Sequence, residues 1–126
     1  MQLPLVDLTT LKIKRWIVDE LESSMLLYFT GASRSSAAII DEQKKNTESG
    51  KTDAVEAMHK IKQSAVDMKL ALLKGDVRTF ADIIREGWEN KKKMANQITN
   101  PMIQEAMDVA MSAGALAGKV SGAGGG

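Results

Sequence analysis

The 126-residue chain has no cysteine, which removes disulfides, thiolate zinc sites and a cysteine nucleophile together. That absence also fits a cytosolic protein, and a cytoplasmic location is the expectation. No apolar run approaches the ~18–20 residues that cross a bilayer. The N-terminus lacks a basic stretch leading into a long apolar one, so no signal peptide is expected. With 17 Lys and Arg against 16 Asp and Glu, the formal net charge is +1. Bulk charge therefore points to neither nucleic acid nor an acidic membrane. The single histidine, His59, reads as a surface side chain rather than a metal ligand, and no metal site is assigned. What remains is an ordinary globular composition, 44% hydrophobic and 26% charged, of a size for one domain with a modest core. Eight methionines read first as core filler.

The most unusual stretch is the last. Four of the final five positions are glycine, interrupted by Ala123, after Gly118, Lys119, Val120 and Ser121. Glycine loses the most backbone entropy on ordering, so this run is neither helix nor strand interior. It can bring consecutive amides close to a phosphate, or it can be a flexible tail. A punctuated helix and a short predicted strand over 118–121 lead into it, which favours the structured reading. It is not a Walker A loop: three residues separate Gly114 from Gly118, and Val120 follows Lys119 where Ser or Thr is needed. It is not a dinucleotide fingerprint, because no third-glycine helix start follows Gly122, Ala123 and Gly124.

Earlier in the chain, alternation over 11–14 predicts a strand, and Trp16, Ile17 and Leu21 predict a short helix over 15–23. The apolar run Met25, Leu26, Leu27, Tyr28 and Phe29 predicts a central strand buried on both faces. Ser33 is the expected N-cap of a helix ending near Lys45. Ser33, Arg34, Ser35 and Ser36 have the composition of an anion site at a helix N-terminus, or of an exposed cap with a neighbouring arginine. A turn is expected over 46–52. Apolar residues spaced four and three predict a long helix over 53–74, stopped at Gly75. A second helix carries Val77, Phe80, Ile84, Trp88, Ala95 and Ile98 on one stripe, so the two form a helical hairpin. Lys91 shares that stripe, and either snorkels to water or faces an anionic ligand. Lys91, Lys92 and Lys93 together otherwise read as a solvated helix face. Asn100 and Pro101 restart a helix as N-cap and first residue, ending at Gly114.

Gly118 to Gly126 resembles the third motif of the galactokinase, homoserine kinase, mevalonate kinase and phosphomevalonate kinase (GHMP) superfamily. Residues 87–93, 98–101 and 113–115, with 27–31 and 33–37, resemble more narrowly its sugar kinases acting on D-glycero-D-manno-heptose 7-phosphate. The resemblance implies an α+β, ferredoxin-like C-terminal lobe, helix-rich, with an inserted helical hairpin and incomplete at both ends. It implies that 1–126 is part of a kinase whose N-terminal lobe binds most of the ATP and Mg²⁺. Gly122, Ala123, Gly124, Gly125 and Gly126 would then line the nucleotide-phosphate loop. Ser33, Arg34, Ser35, Ser36 and Lys91 would serve the sugar phosphate, and no catalytic residue would lie in this chain. The implied reaction is ATP-dependent phosphorylation at the anomeric position, for nucleotide-activated heptose and surface polysaccharide. A fucokinase-like lobe and a non-enzymatic helical interaction module are the alternatives.

Overall fold

The computed structural model describes residues 8–31 and 35–122. In chain order these form α1 (Arg15–Ser24), α2 (Ser36–Glu48), α3 (Thr52–Lys74), α4 (Val77–Lys92), a 3₁₀ turn (Asn96–Ile98) and α5 (Pro101–Ser112). Local chemistry accounts for most of the boundaries. The Ser35 hydroxyl accepts the Ala38 amide at 3.3 Å and caps α2, two residues beyond the expected Ser33. The Asp76 carboxylate accepts the Thr79 amide at 3.0 Å and the Thr79 hydroxyl at 2.7 Å, starting α4. Those bonds, the hydroxyl first, hold the Asp76 carboxyl below its usual range. Asn100 Oδ1 accepts the Ile103 amide at 2.9 Å, with Pro101 at the first position of α5.

α3 and α4 form the expected antiparallel hairpin and make the most extensive helix–helix contact of the fold. The buried residues of α3 are small: Ala54, Ala57 and Ala71. Gly75 closes α3 in the left-handed region at φ 73°. It is also a docking point, since a Cβ there would lie 2.4 Å from the Trp16 ring and 3.1 Å from Ile17 Cγ1. α1 is thereby seated on the hairpin turn, with Ile17 buried.

The core lies at the other end of the hairpin. Ile39 of α2, Trp88 of α4, Ala95, Ile98 and Ile103 are buried together, with Met94, Met107 and Val120 packed against them. α2 fastens the α4–α5 connector over this core. Glu42 accepts the amides of Asn96 and Gln97 at 2.8 and 3.3 Å, and the Asn46 amide donates to the Met94 carbonyl at 2.8 Å.

Several expectations are corrected. The described residues contain no strand, so the α+β sheet expected from the sequence is not formed among them. Residues 11–14, 25–29 and 117–121 are irregular, and Leu26 and Leu27 are 98% and 97% exposed. The physical reason is that a helix satisfies its own backbone, whereas a strand needs a neighbour to pair its N–H and C=O groups. α2 continues to Glu48, which shortens the turn expected over 46–52. The second hairpin helix stops at Lys92, and Ala95 and Ile98 reach the core from the connector instead. Methionine serves both environments: Met94 and Met107 pack on the core, while Met25 and Met102 are exposed.

Gly75→Ala should lower unfolding stability by about 2 kcal/mol, from the left-handed backbone and the Trp16 clash together. Urea denaturation followed by far-UV circular dichroism checks this.

Candidate functional site

Two places around the core bring the sequence-predicted residues together. The first is a cleft of about 330 Å³ lined by Ser35, Ile39, Asn96, Gln97, Thr99 and Asn100. Ser35 and Asn100 are the N-caps of α2 and α5, so two helix N-termini border one hollow. The partial positive charge at each favours an anion between them. Thr99 contributes a hydroxyl whose oxygen is buried and has no hydrogen-bond partner among the described residues. A buried hydroxyl left unpaired costs free energy that a bound ligand with a polar group can offset. Of the residues expected on the sugar-phosphate side, Ser35 lines the cleft and Ser36 is the first residue of α2. Ser33 and Arg34 lie outside the described residues.

The second place is the glycine turn. After α5 the Ala115 amide bonds back to the Ala110 carbonyl, and Gly114 takes φ 104°. The chain then returns along the core. Gly118 lies so close to Met107 that a Cβ would sit 2.6 Å from its sulfur, and Val120 packs on the core cluster. At Gly122, with φ 62°, the Lys91 ammonium donates to the backbone carbonyl. Ala123, Gly124, Gly125 and Gly126 lie outside the described residues.

The lysine triplet divides accordingly. Lys92 lies 5.9 Å from the Trp88 ring centroid and 2.7 Å from the Glu89 carboxylate, while Lys93 is exposed. Lys91 is partly buried and reaches the Gly122 carbonyl. Desolvation lowers its pKa, and the nearby charge of Lys119 lowers it further. The two places share one support: Ile39 lines the cleft, and both Ile39 and Val120 belong to the packing around Trp88, Ile98 and Ile103.

A larger hollow of about 740 Å³ runs along α5 between Pro101 and Ala113. It is open and bordered by Glu105 and Asp108, a poor setting for an anionic ligand, and it contains no residue of the predicted site. The smaller cleft is the stronger candidate despite its size.

Thr99, Asn96 and Gln97 were not singled out as site residues by sequence reasoning. The visible signal was the position of Thr99 immediately before the Asn100–Pro101 helix start, which fixes it at a helix N-terminus.

Comparison with known proteins gives a consistent picture. Residues 68–126 match the family described as GHMP kinases C terminal. Over 121 residues, 96% of its length, the chain is 41% identical to the D-glycero-alpha-D-manno-heptose 7-phosphate kinase of Campylobacter jejuni, of which it spans 35%. It is 29% identical over 118 residues, 89% of its length, to an L-fucokinase/L-fucose-1-P guanylyltransferase of Bacteroides fragilis, of which it spans 12%. A crystal structure of a D-glycero-D-manno-heptose 1-phosphate kinase from Bacteroides thetaiotaomicron is 56% identical, with a TM-score of 0.59. That likeness covers 95% of this chain and 29% of the solved one. The chain thus spans about a third or less of the length of these relatives.

Because folding depresses the Lys91 pKa, the folded state holds its proton less tightly than the unfolded state. The resulting cost is fully present below the folded value, and it fades as pH rises from there toward the ordinary 10.5. The Lys91 side chain, followed by its ε-methylene NMR signals, should titrate below 10.5. Lys119→Ala should move that midpoint upward.

Proposed function

We propose that this chain, a GHMP kinase C-terminal region, forms the sugar-phosphate side of an ATP-dependent kinase acting on D-glycero-D-manno-heptose 7-phosphate. The observation that carries this reading is the cleft where two helix N-termini and the unpartnered Thr99 hydroxyl converge. The two helix ends suit a phosphate, and the hydroxyl suits a sugar oxygen. Identities of 41% and 56% to heptose phosphate kinases support the substrate class. In this reading Ser35 and Ser36, with Ser33 and Arg34 before them, hold the substrate phosphate. Gly122, Ala123, Gly124, Gly125 and Gly126 approach the nucleotide phosphates, where backbone amides can come close without side chains between.

ATP supplies the transferred phosphoryl group, and the acceptor is the anomeric hydroxyl. The product would feed nucleotide-activated heptose and surface polysaccharide synthesis in the cytoplasm. Phosphoryl transfer depends on positioning and charge stabilisation, and this chain's share of both is the cleft and the glycine turn. The catalytic aspartate, which would take the proton of the acceptor hydroxyl, and the metal ligands belong, in this proposal, to an N-terminal lobe of the same kinase. The ferredoxin-like sheet would form in the intact kinase, with 11–14, 25–29 and 118–121 among its strands. The similarity to an L-fucokinase favours one second reading, a lobe that takes L-fucose.

Titrating the 126-residue chain with the heptose 7-phosphate should shift amide NMR signals at 35–39 and 96–100. The unphosphorylated heptose and L-fucose should do so far more weakly. Thr99→Val, which keeps the shape and removes the hydroxyl, should weaken binding roughly tenfold without loss of thermal stability. Shifts confined to the α5 hollow, or equal responses to all three sugars, would overturn the assignment. The chain alone should also form no heptose bisphosphate from ATP and Mg²⁺, and measurable turnover would place the catalytic groups within it.

A further inference from the structure

We infer that Lys91 is a positioning residue for the glycine turn, fixing the carbonyl of Gly122 rather than contacting the phosphosugar. The inference rests on the kinase reading only for its bearing on phosphoryl transfer; the contact itself stands on geometry. Lys91 leaves the last turn of α4, is partly buried, and donates its ammonium to the Gly122 carbonyl across 31 residues of chain. It forms no ion pair with a carboxylate among the described residues, whereas its neighbour Lys92 pairs with Glu89. The ammonium is therefore committed to backbone rather than to a charge partner.

Two further contacts give this bond its mechanical meaning. Val120 is anchored in the core cluster, and Gly118 is held against Met107. The chain is thus fixed on the core side of the turn, and beyond Ser121 a glycine in the left-handed region would otherwise be free to rotate. A peptide group is planar, so orienting the Gly122 carbonyl also orients the amide of the next residue. Lys91 thereby fixes the orientation of the Gly122 carbonyl at the end of the turn. A lysine can do this from a distance because its head sits on a four-carbon stem that spans from α4 to the turn. Lys119, the other charge felt by Lys91, adds no competing acceptor.

The test is backbone ¹⁵N relaxation and carbonyl ¹³C shifts on the whole 126-residue chain. Lys91→Met should move the Gly122 carbonyl signal and drop the order parameters at 119–122 from those of rigid backbone, about 0.85, to below about 0.6, while α3 and the first half of α4 stay rigid. Lys91→Arg, which keeps a long cationic donor, should restore most of the order. Lys119→Met should leave the turn ordered. Should Lys91→Met fail to fold, the wild-type chain decides: the Gly122 carbonyl shift should follow the Lys91 titration with the same midpoint. Unchanged order parameters in Lys91→Met, an Arg variant as loose as the Met variant, or a carbonyl shift indifferent to the Lys91 titration would each overturn the inference. None of these readouts needs heptose phosphate or ATP, so the latch can fail while the substrate reading stands, and the reverse.

Discussion

The connector between α4 and α5 crosses the centre of the core without an α-helix of its own to satisfy its backbone. Ala95 and Ile98 are buried there, and buried amides and carbonyls without partners are costly. α2 holds the connector in place from about fifty residues away: Glu42 accepts the amides of Asn96 and Gln97 that open the 3₁₀ turn between the two buried residues, and the Asn46 side-chain amide donates to the Met94 carbonyl. Because the connector is fixed, Thr99 and Asn100 stand beside the capped start of α2 and the cleft exists. Because Ile98 and Ile103 are fixed, Val120 has a surface to pack on and the returning chain has a track. Both candidate binding places follow from one carboxylate and one carboxamide on the same face of α2, four residues apart.

The hairpin has a different logic. Its first helix, α3, buries only alanines, and its larger side chains are at least partly exposed. Gly75 turns the chain and leaves room for Trp16, which ties α1 to the far end. The fold thus has two anchored ends joined by two helices, and the candidate cleft lies at the end near the core.

What was legible in the sequence was local. Gly75 as a helix stop, Asn100 and Pro101 as a helix start, and the apolar spacing of α3 each act within one turn of chain. The cap of α2 was legible to within two residues, Ser35 in place of Ser33, because several serines compete for the same role. The strands were not recovered, since pairing is a property of neighbours and not of the run itself. Lys91 stood out only as a charge on an apolar stripe; that it reaches Gly122 while Lys92 covers Trp88 depends on where the chain returns. The cleft was the least legible feature, because its walls come from residues near 35 and near 97.

Five consecutive apolar side chains, Met25 to Phe29, stand in water on an irregular backbone, with Leu26 and Leu27 almost wholly uncovered. Such a segment has high β propensity, no charge and no proline, the pattern that adds strands from one molecule to another. This run, rather than the helices, is where the chain offers a backbone edge for pairing, and it is the same edge that the sheet proposed above would cover.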